Sequence, residues 1–259
     1  MKTIFALSGV VIKELYRRKD FYVLFVLTAL ITLVLGAVNF FNDDRIVRYL
    51  KEVCLLLIWV SSLVIAIGTT ARQIPAEREN RTIFPLLAKP VSRWQVILGK
   101  FFGCWFACGL SLVLFYVFFL LLSGTREHQW PLLQYVQTFA LHWALLGIVV
   151  SLVLLGSIVF AAPSSNATIS FIVVLGILFV GRHLNTVALQ QPEPLNSIIY
   201  TIYFLIPHLE WFDVRDLVIY GQHLVGWGDC LLAIAYAAVY STFVLAAAWV
   251  AFRRKALNL

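Results

Sequence analysis

Charged side chains, which can dock a partner electrostatically, are concentrated in one short segment of this sequence. The segment "RQIPAERENRTIFPLLAKPVSRWQVILGK", residues 72–100, carries six basic and two acidic residues between two long apolar runs. Such a cluster can make directional ion pairs with a protein partner, or it can be a solvated connection that has no partner. Pro75 suits the first position of a helix. The carboxylates of Glu77 and Glu79 would then lie near the positive end of the helix dipole, which stabilises them. The pattern predicts a short charged helix and then a proline-interrupted link that ends near Ser92, a suitable N-cap.

A second polar group and the cysteines are the remaining candidates for metal chemistry. His208, Glu210 and Asp213 are spaced so that they could meet around a metal ion, although water-facing residues around a hairpin explain them as well. All four cysteines lie inside or at the edges of apolar runs, and Cys104 and Cys108 share a helix face with no second ligand pair. We therefore predict buried free thiols, no metal site and no cofactor bound by this chain.

Catalytic and nucleotide-binding patterns are missing from the sequence. It contains no H-E-x-x-H, no G-x-S-x-G and no G-x-x-x-x-G-K-[ST], the patterns of common zinc, serine and phosphate-binding sites. The chain is therefore predicted not to be an enzyme. If ATP powers its function, the ATPase is another polypeptide.

The elements that must position these residues are predicted to be membrane-spanning helices. Of the 259 residues, 61% are hydrophobic and 13% are charged, with a mean hydropathy of +0.89, as in polytopic membrane proteins. Since lipid offers backbone groups no partner, we predict an all-α fold in which residues 1–259 form a single transmembrane domain. Six spans are predicted, at 21–41, 53–71, 101–123, 136–162, 167–187 and 230–252. None of them contains Asp or Glu, which argues against proton-coupled transport.

Two further segments are predicted to lie at the membrane without crossing it. Residues 1–20 have an apolar face and a charged face, which predicts an interfacial elbow helix; an ordinary cytosolic start to the first span is the alternative. Residues 183–229 contain the apolar run "LNSIIYTIYFLIP", which is too short to span. We predict an outer re-entrant hairpin there, between spans five and six, with aromatic residues at the headgroup level.

The distribution of basic residues predicts the orientation in the membrane. With the N-terminus inside, 14 of the 20 Lys and Arg residues fall on the inner side and 6 on the outer side. The positive-inside rule then puts both termini in the cytoplasm. Because the net charge of +7 arises from bases at the ends of spans, we predict contact with the lipid bilayer and not with nucleic acid.

The charged segment carries a recognisable motif. The stretch "AERENRTIFPLLAKPVSRWQVILGKFFG" resembles the coupling-helix loop of ABC exporter permeases of the type-2 class. That loop typically reads E-R-x-x-x-T-[IL]-x-x-L-L-[AS]-x-P-[VI]-[ST]-R and is followed by "GK" at the start of the third span. The matching residues are Glu77, Arg78, Thr82, Leu86, Leu87, Pro90, Ser92, Arg93, Gly99 and Lys100. The usual "GT" is "RT" here, through Arg81.

Two other segments extend the resemblance over the whole chain. "KELYRRK", residues 13–19, resembles the elbow helix that precedes the first span in the same class. "IYFLIPHLEWFDVRD" resembles the outer hairpin of the permeases grouped with multicopper-enzyme and nitrous-oxide-reductase maturation.

The resemblance implies a function and a set of partners. It implies a permease subunit in the bacterial inner (plasma) membrane that pairs with a second permease chain, identical or paralogous. Each coupling helix, within the coupling loop 72–100, would dock on a separate ABC ATPase subunit, which binds the ATP and Mg. The implied ATPase-coupling residues are Glu77, Arg78, Arg81, Thr82 and Arg93. The alternative function is a membrane anchor or assembly factor that uses the 183–229 hairpin to dock an outer-side accessory protein and transports no cargo.

Overall fold

The computed structural model describes residues 2–17, 19–37, 44–79, 92–127, 130–190, 192–221 and 223–254. Within these ranges the chain is helical and has no strand, which confirms the predicted all-α class. Ten α-helices are described: α1 Lys2–Arg17, α2 Lys19–Ala37, α3 Asp44–Thr70, α4 Pro75–Glu79, α5 Arg93–Glu127, α6 Leu132–Val159, α7 Pro163–Leu189, α8 Leu195–Leu205, α9 Asp216–Ile219 and α10 Trp227–Arg254. A short 3₁₀ turn, Leu209–Phe212, lies between α8 and α9.

Five stretches of the described residues are long and apolar enough to cross a membrane. They are Lys51–Glu79, Arg93–Thr125, Leu132–Val159, Pro163–Gly181 and Trp227–Arg254, and they coincide with the second to sixth predicted spans. The first predicted span, 21–41, overlaps α2, but residues 38–41 lie outside the described residues. A sixth crossing therefore stays a prediction.

The central element of the bundle is α6. Seventeen of its 28 residues are buried, and it packs against α3, α5, α7 and α10. A helix that is apolar on all sides suits such a position. By contrast only six residues of α10 are buried, so most of the surface of α10 is left for lipid or for another protein.

The N-terminal helix α1 packs closely on the beginning of α5. A Cβ atom on Gly99 would lie 2.7 Å from Leu7 Cβ, and one on Gly103 would lie 2.7 Å from Val11 Cβ. The two glycines stand four residues apart, the small-residue spacing that lets helix backbones approach in membranes. The hydroxyl of Ser8 donates to the Gly99 carbonyl at 3.0 Å. The interfacial placement of α1 stays a prediction, but its apolar face is seated on α5.

The region after α7 remains close to one end of the bundle. Helix α8 has no buried residue and packs against α7. The 3₁₀ turn and α9 both contact α6, and the Lys51 ammonium donates to the Val218 carbonyl at 3.2 Å. With 11 residues, α8 is too short to span a bilayer; its re-entrant placement stays a prediction.

Candidate functional site

The charged segment begins with the short helix α4, directly after α3. As the sequence predicts, α4 begins at Pro75, whose missing N–H costs nothing at a helix start. Backbone bonds from Ala76 to Arg72 and from Arg78 to Ile74 continue the turn that links the two helices. Ile74 is fully buried and Pro75 is buried. These apolar contacts seat α4 against the bundle, so its charges have fixed positions.

The carboxylate of Glu77 forms an ion pair with the ammonium of Lys100 near the start of α5. The Lys100 side chain is only 6% exposed and that of Glu77 is 23% exposed. A charge this well buried needs its partner, because removing one member leaves the other desolvated and uncompensated. The pair therefore fixes α4 to α5.

Arg78, the next residue, reaches the end of α6. Its two terminal nitrogens lie 3.4 and 3.5 Å from the Ile158 carbonyl oxygen, one residue before α6 ends. These distances are long for hydrogen bonds. The contact is therefore mainly that of a cation with the negative end of a helix dipole.

A buried asparagine joins the same helix ends from the other direction. The Asn166 amide, in the first turn of α7, donates at 3.2 Å both to the Ala71 carbonyl after α3 and to the Val153 carbonyl of α6. Ser170 donates to the Asn166 side-chain oxygen at 3.1 Å. Gly156 makes room for that oxygen, which a Cβ at this position would meet at 2.3 Å. Thus the uncharged connection between α6 and α7 holds α3, α6 and α7 together beside α4.

Arg93 makes an equivalent connection from the start of α5 to the end of α10. Its guanidinium donates to the carbonyls of Phe252 at 2.6 Å and Arg253 at 3.1 Å, and it lies 5.4 Å from the Phe252 ring centroid. The last carbonyls of a helix have no hydrogen-bond partner within the helix. A cationic side chain placed there donates hydrogen bonds to them and interacts favourably with the negative end of the helix dipole. Ser92 precedes α5, and its backbone N–H donates to the Gln95 side chain at 3.1 Å, as in one half of a capping box.

Together these contacts tie α4 to the adjoining ends of the long helices. Glu77 reaches α5 and Arg78 reaches α6, while Arg93 joins α5 to α10. Arg72 and Glu79 remain exposed on the same side. The implied coupling residues Arg81 and Thr82 lie outside the described residues. The described part of the site thus consists of one salt bridge, Glu77–Lys100, and of contacts between arginine side chains and backbone carbonyls at helix ends.

Sequence reasoning gave no role to two residues of this site, Lys100 and Asn166. Lys100 had one signal, its place in the "GK" of the motif, but nothing in its spacing identified Glu77 as its partner. Asn166 belongs to "AAPSSNAT", where a polar residue reads as a loop residue. Its amide joins helices by donating to the carbonyls of Ala71 and Val153, and the local sequence around Asn166 does not indicate either acceptor.

The polar residues near α8 and α9 pair with one another. His208 Nδ1 lies 3.5 Å from Glu210 Oε1, whereas Asp213 accepts two bonds from Arg215, at 2.7 and 2.8 Å. This carboxylate raises the pKa of the Arg215 guanidinium. No group of three His, Cys, Asp or Glu side chains with metal-binding geometry is found in the part of the chain that the structure describes. The cysteines are buried, as predicted.

Comparison with known proteins identifies one family. The family model described as "ABC-2 family transporter protein" matches residues 57–257. The match covers most of the chain, from within α3 through the end of α10, and includes the whole of the site described above. No curated protein sequence is significantly similar to this chain.

Proposed function

The chain belongs to the ABC-2 transporter family, whose members are the membrane permease components of ABC transporters, and we propose that it couples ATP hydrolysis by separate ATPase subunits to the export of a substrate. In this proposal it is a multi-pass protein of the bacterial inner membrane with both termini in the cytoplasm. It works as a pair with a second permease chain and binds neither ATP nor Mg itself.

The observation that carries the proposal is the attachment of α4 to several long helices at once. Glu77 holds α4 to α5 and Arg78 holds it to α6. A short helix fixed in this way cannot shift alone, since a displacement of α4 is passed to the ends of both spans. Rigid-body movement of packed helices is a common route of conformational coupling. We assign α4 the role of the coupling helix.

The five coupling residues then divide into two groups. Glu77, Arg78 and Arg93 transmit movement through contacts within the chain. Arg81 and Thr82, which follow α4, are proposed to face the ATPase together with the exposed carboxylate of Glu79. Charges at the rim of an interface guide and orient docking, whereas buried pairs hold position.

An ATP-driven and not a proton-coupled mechanism is supported by the interior of the described spans, whereas the direction of transport is proposed from the resemblance of the coupling loop to that of exporters. Within the mid-membrane parts of α5, α6 and α10 the buried polar side chains are hydroxyls, Gln137 and His142, and no carboxylate is buried among them. His142 is held by Ser62 at 2.8 Å and by Tyr116 at 3.3 Å. A relay of ionisable groups, which proton-driven carriers use, is missing from this part of the bundle.

A second candidate function rests on α8. Its Phe204 and Leu205 are 74% and 76% exposed, which supplies an apolar surface on the predicted outer side. A membrane anchor or assembly factor would use such a surface to hold an outer-side accessory protein. The same exposure is expected of a hairpin that dips into lipid, so transport remains the leading proposal.

The proposal is tested by isolating the chain from native membranes in mild detergent and identifying what accompanies it. We expect an ABC ATPase to co-purify, and its ATP hydrolysis to rise when the permease is reconstituted with it. Recovery of an outer-side protein with no ATPase, in repeated preparations, would favour the anchoring function instead.

A further inference from the structure

An apolar cleft of about 430 Å³ lies between α5 and α10 and has α6 as its floor. Its lining includes Trp94, Phe101, Trp105, Gly147, Leu245 and Trp249. Trp94 is 46% exposed and Trp249 is 37% exposed, and these two residues mark the end of the cleft where α5 begins and α10 ends. Its volume is within the range of small-molecule and cofactor sites. We call it the α5–α10 cleft.

Two of the polar groups around this cleft are already used inside the protein. The Thr242 hydroxyl donates to the Ala238 carbonyl of its own helix at 2.7 Å, and the Trp105 indole N–H donates to the Trp143 carbonyl at 2.9 Å. Ser241 is buried. An occupant would therefore meet hydrocarbon and aromatic surface, which favours an alkyl chain over a sugar or a peptide.

The cleft is long enough to take much of an acyl chain. Its lining rises about 16 Å along α5, from Trp94 to Trp105, and about 22 Å along α10, from Ile234 to Trp249, at 1.5 Å per residue. These lengths are about half to three quarters of the hydrocarbon core. Since Trp94 and Trp249 lie at one end, where tryptophan suits the headgroup level, the cleft extends from that level into the hydrocarbon core.

The end of the cleft marked by Trp94 and Trp249 is positively charged. Arg253 and Arg254 are exposed at the end of α10, and Arg93 is partly exposed at the start of α5. The Arg253 guanidinium lies 5.8 Å from the centroid of the Trp249 ring, which places one cation directly beside the lining. The acidic residues of α5 and α10, Glu127 and Asp229, are at the opposite ends of their helices.

From this combination we infer that the α5–α10 cleft is a binding site for an anionic phospholipid. One acyl chain lies in the cleft, and the headgroup phosphate is held by Arg253 and Arg254, with Arg93 behind them. Basic pockets between helices at a membrane surface bind anionic headgroups in this manner. The inference concerns a resident lipid and does not depend on the cargo or on the ATPase.

The headgroup part is tested by native mass spectrometry of the full chain, equilibrated with phosphatidylglycerol or with phosphatidylcholine. We expect about tenfold stronger retention of phosphatidylglycerol, and loss of this preference in the double variant Arg253→Gln/Arg254→Gln. Arg17→Gln, an exposed arginine of α1, is the matched control and should keep it. Equal retention of the two lipids by the wild type, or an equal loss in Arg17→Gln, overturns the inference. So does saturation by glycerol phosphate alone, since the site would then be a free-anion site.

The acyl-chain part is tested by filling the cleft. Ala246 lines it and the adjacent Ala247 does not, although both are exposed. Ala246→Phe should lower retention of either lipid severalfold, whereas Ala247→Phe should leave it unchanged. If Ala246→Phe instead changes the oligomeric mass and leaves the lipid in place, a second copy of the chain fills the cleft and the inference is wrong. Should Ala246→Phe fail to fold, the lipid preference of the wild type and of the arginine variants still decides.

Discussion

Glu77 and Lys100, which are 23 positions apart, form an ion pair that joins α4 to α5. The Lys100 side chain is only 6% exposed, so its ammonium lies where water is largely excluded. The ion pair makes α4 part of the helix bundle and not a separate attachment to it.

Reversing the charge of Glu77 should destabilise the protein itself. Glu77→Lys puts a second cation against the buried Lys100, and we expect a loss of about 3 kcal/mol in the free energy of unfolding. Thermal unfolding in detergent measures this loss. The charge-swapped variant Glu77→Lys/Lys100→Glu should recover part of it. Glu79→Lys, an exposed position on the same helix, should leave the melting temperature unchanged, and an equal fall there would contradict the assigned pair.

Removing the cation of Arg78 should weaken the coupling between α4 and the spans more than it weakens binding of the ATPase. Arg78→Ala leaves the Ile158 carbonyl and the α6 dipole without their cation, for an expected cost of about 1 kcal/mol or less. We expect the ATPase to remain bound while permease-stimulated ATP hydrolysis falls severalfold. Arg78→Lys, which keeps the charge, should retain most of the stimulation. Wild-type stimulation in Arg78→Ala would show that this contact is not part of the coupling route.

Adding a side chain at Gly103 should push α1 away from α5. Because a Cβ there would lie 2.7 Å from Val11 Cβ, Gly103→Leu overpacks the helix contact at a cost of about 1–3 kcal/mol. Limited proteolysis should then cut α1 faster than in the wild type. Gly9→Ala is the control within α1, since a Cβ at Gly9 meets nothing within 4 Å, and it should be neutral or slightly stabilising. Protection of α1 in Gly103→Leu would exclude the close packing described.

Cysteine labelling in intact cells and inverted vesicles tests the topology. The native cysteines are buried, which keeps the background low for a membrane-impermeant reagent. Glu79→Cys should react only from the cytoplasmic side. Glu193→Cys and Asp216→Cys, exposed positions on either side of α8, should both react only from outside. Opposite labelling of these last two positions would mean that the segment between them crosses the membrane.

The spans were predictable because each depends on its own composition. The stretch 136–162 is so apolar that a span can be predicted there without knowing which helices pack beside it. The helix α6 occupies nearly the same residues. The start of α4 was predictable for a similar reason, since Pro75 acts within one turn. Local sequence is enough to predict an element when its position depends on contact with lipid or on backbone conformation.

The contacts of the candidate site could not be predicted, because they join distant parts of the chain. Arg93 donates to a carbonyl 159 positions away, and no spacing rule connects the two residues. Lys51, two residues before the predicted second span, is a second example: it is buried, and its ammonium donates to the Val218 carbonyl, 167 positions away. Tertiary acceptors decide the positions of such residues.

The seat of α1 on Gly99 and Gly103 has a consequence for synthesis of the protein. The Ser8 hydroxyl and its acceptor on Gly99 are 91 positions apart, so the ribosome must make α2, α3 and α4 before the partner of α1 exists. At translation rates of about 5–20 residues per second, α1 waits for roughly 5 to 20 seconds. During this delay its apolar face must be shielded by the membrane surface, for which an amphipathic helix is suited. Docking of α1 therefore cannot precede the synthesis of α5.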